Sequence, residues 1–336
     1  MATLYTITVD TDGVSATYSA LATAEATELA GSGQLTSGNL VGNDEAALFT
    51  CAASGSSADG VAKFDDDDGW TTGDGNNIEV RGDNSTGIWD ASKYWIQKAA
   101  NWTAGLEFEQ CNYSVIDRVQ VDGNAKTSGS GIYLQNAINC TIKKCIAKNV
   151  PTATTYAGIH FAPTAGTNLV HSCVVYDCGT GVCFPNNADG NLTMSIIEGC
   201  TNGISAVGPT GTPEVTGCAI WNNADDILDG NAVLVMDYLA TDDGGGGNPV
   251  APLGANWDNE FDNIAANIYT IKSGGNCFEA CAITNADNSD VPTEDIAGNA
   301  RETGAGTSTC IGAFANGEVA AGGLSIPVAI HHILRH

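Results

Sequence analysis

Between residues 105 and 223 the hydrophobic and polar positions fall in short bursts that recur. GLEFEQCNYSVIDRVQVDG (105–123), GIYLQNAINCTIKKCIAKN (131–149), GIHFAPTAGTNLVHSCVVYDC (158–178), GVCFPNNADGNLTMSIIEGC (181–200) and GISAVGPTGTPEVTGCAIWNN (203–223) share one plan. Each opens on glycine and an aliphatic residue, crosses a turn-rich stretch and ends in a strand-like run. The leading glycines are about 22 to 27 residues apart, the period of a solenoid whose units bury a core only when stacked. Gly, Asn, Thr and Val suit short strands and tight turns, not helical repeats. A leucine-rich repeat would need a Leu consensus that is missing. The pattern therefore predicts an all-β, single-stranded parallel β-helix.

Aligned on those glycines, Cys145, Cys173, Ser195 and Cys218 form one column, followed by the apolar pairs Ile146-Ala147, Val174-Val175, Ile196-Ile197 and Ala219-Ile220. Five residues after that column come Val150, Cys178, Cys200 and Asn223. Equivalent side chains of successive coils stack about 4.8 Å apart, so the cysteines are expected to be small core hydrophobes in ladders. Their spacing follows the coil period and not zinc-ligand spacing. Asn139, Asn149, Asn168, Asn222 and Asn223 suggest turns with left-handed backbone.

Outside the repeat, residues 18–30 (YSALATAEATELA) form the one convincing amphipathic helix, suited to capping an open solenoid end. Early strands are expected near 78–80, 94–97 and 106–109. TDDGGGGNPVAP (241–252) is a flexible insertion. The expected organisation is an N-terminal region over 1–77 with the capping helix, coils over 78–240, a Gly-rich insertion and irregular closing coils over 241–316, and a linker with a terminal tail over 317–336.

Composition narrows the function. With 43% hydrophobic and 15% charged residues among 336, the chain has enough apolar material for a folded core. Twelve basic against 39 acidic residues give a net charge of −27, which repels phosphates and anionic lipids, so nucleic-acid and membrane partners are excluded. The opening MATLYTITVDTDG has neither a basic n-region nor an apolar h-region, so a protein made in the cytosol is expected. The twelve cysteines are expected as free thiols.

Catalysis needs converging groups, and few candidates offer themselves. Asp117 and Arg118 are neighbours on an expected strand and would point to opposite faces. Asp225, Asp226 and Asp229 sit at a coil edge. The run Asp65 to Asp68 in FDDDDGW reads as a solvated turn before it reads as a calcium site. Most basic residues look scattered. No catalytic residue, metal ligand or cofactor is assigned. The sequons at Asn84, Asn101, Asn112, Asn139 and Asn191 are what a chain rich in Asn and Thr produces by chance.

The order of motifs resembles a family of right-handed parallel β-helix proteins found among bacteriophage structural proteins. It comprises Tyr18-x-x-Leu21, Gly69-Trp70-Thr71, WDASKY (89–94), the Gly-led coils, DIAGNAR (295–301) and IGAF (311–314). The resemblance implies a non-enzymatic virion component, most simply a capsid decoration or fibre-like protein. It further implies assembly in the host cytoplasm as a homotrimer bound to capsid or tail proteins. The alternatives are a tailspike-like or secreted β-helix that binds or cleaves host surface polysaccharide, and a bacterial surface adhesin.

The chain ends in LSIPVAIHHILRH (324–336). Leu324, Ile326, Pro327, Val328, Ile330, Ile333 and Leu334 are too apolar for a solvated tail, and His331, His332, Arg335 and His336 add charge that suits an acidic surface. The segment is expected to dock on a partner or to trimerise by strand addition; folding back as a cap on its own coil end is the other reading.

Overall fold

A computed structural model describes residues 2–315, apart from 13–15, 56, 102–103, 151–155, 163–165, 186–187, 189, 208–210, 231–233, 243–248, 253–254, 273, 278–279, 283–291 and 302–307. The Gly-led repeats fold as a parallel β-helix, in which each coil gives one strand to each of three sheets. Among the described residues these sheets hold nine, seven and seven strands, and every pairing within them is parallel. One coil illustrates the plan, with Thr141–Lys143 in the first sheet, Ile146–Lys148 in the second and Ile159–Phe161 in the third. Its residues lie in register with the next coil, Ile142 on Val170, Ala147 on Val175 and Ile159 on Val182. Because side chains alternate faces along a strand, this register sends whole columns inward together. Phe161 and Phe184, for example, stack at 5.0 Å inside the coil.

Only two residues join the first sheet to the second. The first is left-handed at Arg118, Lys144, Ser172, Met194 and Gly217, with φ between 46° and 64°. The second points inward and is Val119, Cys145, Cys173, Ser195 or Cys218, all fully buried. Each of these sulfurs donates to the carbonyl two residues back, Cys145 Sγ to Lys143 O at 3.2 Å and Cys173 Sγ to His171 O at 3.3 Å. Ser195 Oγ does the same to Thr193 O at 2.9 Å. Cys178 and Cys200 repeat the arrangement after the second sheet, on Tyr176 O and Glu198 O. Asn139, Asn149 and Asn222 take left-handed turns. Asn168 does not. It starts a strand and uses its buried amide to bridge Cys140 N and Ala137 O in the previous coil.

Helix α1 (Leu21–Leu29) packs on the first strands of the first and third sheets with Leu21, Ala24 and Glu28 buried. Its first amide, Leu21 N, is capped from a distance by Asp59 Oδ2 at 2.8 Å. The buried Glu28 carboxylate takes hydrogen bonds from Tyr18 Oη, Gln34 N and Leu35 N.

The described residues between 257 and 315, for which the sequence suggested closing coils, lie across the outer face of the second sheet. Ile146, Val174, Ile196 and Ala219 face outward there, yet they are buried against Phe261, Tyr269, Ile296, Ile311 and Phe314. DIAGNAR and IGAF are the two halves of this strap's clasp. Asp295 accepts from Asn299 N and Ala315 N, while buried Arg301 donates to Cys310 O and Gly312 O. Gly312 fits against Ile196 and Ala219, and its amide donates to Gly217 O at 2.7 Å. The terminal segment 324–336 lies outside the described residues. Among the described residues no helix is long and apolar enough to cross a membrane.

Candidate functional site

With the second sheet covered by the strap, the third offers a long outer face. Its strands Ala62–Asp65, Leu106–Glu109, Ile132–Gln135, Ile159–Phe161 and Thr180–Cys183 send Phe64, Leu106, Phe108, Ile132, Leu134, Ile159 and Val182 into the core. The alternate residues therefore face outward. Strand register aligns Lys63, Glu107, Tyr133, His160 and Cys183 in one column, and Asp65, Glu109 and Gln135 in a second.

The two columns differ in how fully they are hydrogen-bonded. Lys63 Nζ lies 2.6 Å from both Asp65 and Glu109 and 3.9 Å from Glu107. Gln135 Nε2 donates to Glu109 at 2.5 Å, and Asp67 N donates to Asp65. Asp65, Asp67 and Glu109 bring oxygens close enough to hold a cation, but the Lys63 ammonium already supplies the positive charge. Partial burial works against that ammonium, yet its bonds to Asp65 and Glu109 hold it charged well above the ordinary lysine range. Asp65 and Glu109 are thus committed.

The first column keeps free ends. Among the described residues the only ion-pair partner of Glu107 is Lys63, at 3.9 Å; burial, followed by the neighbouring Glu109 and Asp65 charges, raises its carboxyl above the usual range despite Lys63. Tyr133 Oη has no partner among the described residues, and burial raises its phenol. The Tyr133 and His160 rings lie 4.9 Å apart. His160 Nδ1 is anchored on Ser130 Oγ at 3.0 Å, so Nε2 faces the other way. Burial pushes this imidazole down to about 4, leaving it neutral at physiological pH. Glu107, Tyr133 and His160 thus present a carboxylate, a hydroxyl and an imidazole at one group per coil.

The acidic candidates of the sequence go elsewhere. Asp226 binds Asn223 Nδ2 and Asp242 N, and Asp229 accepts from Leu234 N, so both brace turns. Asp66 to Asp68 form an exposed turn, whereas Asp65 belongs to the strand. Asp117 and Arg118 do not oppose one another across a strand as expected, since the strand ends at Asp117 and Arg118 is the left-handed corner residue. Glu107, Tyr133 and His160 were missed by sequence reasoning. The signal was present, because all three stand two residues after a leading glycine, in a column that period-2 alternation sends outward.

A family model described as periplasmic copper-binding protein (NosD) matches residues 34–232. Neither the curated proteins nor the solved structures give a match. The family match agrees with the solenoid half of the bacteriophage resemblance and not with its viral half. It overturns the virion location expected from that resemblance, since the matched family is periplasmic.

Proposed function

The chain belongs to the NosD family of periplasmic β-helix proteins, and from that premise we propose that it acts outside the cytoplasm as a non-catalytic binding solenoid whose third-sheet outer face holds an extended saccharide chain. The observation that carries this reading is the Glu107, Tyr133, His160 column. Coils rise by about 4.8 Å, close to the length of one pyranose unit. A sugar chain lying along the solenoid therefore meets one free polar group per residue, flanked by the aromatic surface of Tyr133 and His160. Hydrolysis would need a second available carboxylate beside Glu107. Asp65 and Glu109 are both held by Lys63, so the face favours binding over cleavage.

Copper, which the family description names, is taken by thiolates, thioethers and imidazoles. All twelve cysteines are buried, and burial raises the thiols of Cys140, Cys183 and Cys218 to about 12. The cluster of oxygens at Asp65, Asp67 and Glu109 is hard and already paired with Lys63. Among the described residues no histidine joins a cluster of three possible ligand atoms, so they do not fit a copper site.

The test is calorimetric titration of the intact protein with neutral, acidic and amino oligosaccharides, together with chain-length analysis of each sugar afterwards. At least one class is expected to bind and to be recovered uncut. Tyr133→Phe and Glu107→Gln should each weaken that binding about fivefold to tenfold, the range of one lost hydrogen bond. No binding by any class, or affinities untouched by both substitutions, would remove the reading.

A further inference from the structure

Basic residues that look scattered in sequence gather at one corner of the fold. Arg81 and Lys143 face outward at the end of first-sheet strands on either side of Asp117, at 3.6 and 3.8 Å from its Oδ2. Beside them, Arg118 and Lys144 occupy the left-handed position on successive coils. Left-handed backbone is unfavourable for residues other than glycine and asparagine, so two long cations are an expensive choice for a turn that Gly217 fills elsewhere.

Lys144 is almost wholly buried, and its Nζ forms an ion pair with Glu294, whose Oε2 lies 2.6 Å away. Glu294 reaches in from the strap with half of its side chain in solvent. Its carboxyl is held below the usual range by Lys144, with Arg118 and Lys143 adding to the effect. The corner thus already accepts one carboxylate. Arg118 remains. Its Nε is buried without a partner, and no carboxylate lies within ion-pair distance of it among the described residues. Arg81 also donates to Glu79 through Nε and Nη2, and Asp117 Oδ1 is buried without a hydrogen-bond partner among the described residues. Even so, the four cations Arg81, Arg118, Lys143 and Lys144 face only three carboxylates among the described residues, Glu79, Asp117 and Glu294.

We propose that this corner is an anion-recognition site for a sulfate or carboxylate group, bridging Arg118 and Lys144, with Glu294 as its displaceable resident ligand. A guanidinium fork and a buried ammonium on adjacent coils match an oxyanion with several acceptor oxygens. A half-exposed ion pair is weak enough to be exchanged. Elsewhere the acidic surface of a −27 chain discourages anions, so binding here stands against a low background. The site lies away from the third-sheet face and is independent of the saccharide reading.

The experiment is calorimetric titration of the intact chain with inorganic sulfate, and separately with acetate, at low ionic strength with a chloride control. One saturable sulfate site is expected. Glu294→Gln removes the internal competitor and should tighten sulfate about fivefold or more. Arg118→Gln at this half-buried position, checked by circular dichroism for an intact coil, should weaken it about tenfold. Acetate should follow the same order of variants at lower affinity. Non-saturable sulfate binding, a Glu294→Gln affinity equal to the parent's, or an unchanged Arg118→Gln would each overturn the proposal.

Discussion

Gly158 and Gly181 meet across successive coils so closely that a Cβ on Gly158 would lie 3.0 Å from the Gly181 carbonyl oxygen and 2.4 Å from Val175 Cγ1. The same holds along the row, where Gly181 is confined by Gly203 O and Ile197 Cγ2, and Gly203 by Asp226 O and Ile220 Cγ2. These glycines lead the third-sheet strands because the second sheet's inward Val and Ile side chains fill the space beside them. Gly158→Ala should therefore destabilise the fold by about 2 to 3 kcal/mol, the cost of overpacking against backbone. Gly60, with nothing near its missing Cβ, is the control, and Gly60→Ala should change stability by less than about 0.5 kcal/mol. Urea titrations of both variants decide it; equal midpoints would mean that the coil relaxes around the added methyl.

That glycine row made the fold legible, because a steric demand fixed by local geometry repeats in sequence at the coil period. Glu107, Tyr133 and His160 were missed, although the column two residues after each leading glycine, followed outward, leads to them. The apolar pairs Ile146-Ala147 and Val174-Val175 carried a further message. Adjacent strand residues face opposite sides, so an apolar pair means a sheet buried on both faces, and the strap over Ile146, Val174 and Ile196 is the reason. What covers them was not legible, since the contact between Gly312 and Ile196 joins residues far apart in sequence. Nor was the Arg118 and Lys144 corner, because left-handed turns are ordinarily announced by Asn or Gly.

The cysteine ladders predict inert thiols. Burial raises Cys145 and Cys178 well above the ordinary thiol range, and thiolate is the reactive form. In-register neighbours sit about 4.8 Å apart at Cβ, wider than the ~3.8 Å of a disulfide, so oxidation between rungs is disfavoured even in an oxidising compartment. Titration with a thiol reagent should find almost no reaction in the native protein and all twelve thiols after denaturation without reductant. A shortfall in the denatured count would show that some are paired.

Lys98 predicts an alkaline rise in stability. Its side chain is fully buried, with Nζ donating to Ser128 O and Gly129 O at 2.6 Å and no carboxylate within ion-pair distance among the described residues. Burial pushes the ammonium down to about 8, whereas in the unfolded chain a lysine titrates near 10.4. Between these values the unfolded state binds more protons, so stability increases with pH across about 8 to 10.4. The two carbonyl bonds favour the charged form, so the gain should be about 2 kcal/mol, less than the full shift implies. Urea midpoints at pH 7.5 and 10 for the parent and for Lys98→Met measure it. The substitution costs stability at pH 7.5 by orphaning two carbonyls, but its dependence on pH should lack this rise. Parallel curves for the two proteins would exclude Lys98 as the cause.

Phe314 tests whether the strap is a separable layer. It closes the IGAF clasp, is 3% exposed, and its ring lies against Gly87. The strap packs on the outside of the second sheet and along its corner with the first, whereas coil-to-coil pairing and the inner core are continuous without it. Removing the ring should therefore loosen the outer layer before the coils. Phe314→Ala is expected to cost about 3 kcal/mol at this site. Amide exchange should speed up over 295–301 and 308–314, while the inward-facing strands around Val170 and Val175 keep their protection. A hydrophobic dye should bind as Ile146, Val174 and Ile196 become accessible. If exchange instead rises equally in the strap and in the coils, the two layers unfold as one unit and the strap is part of the solenoid's cooperative core.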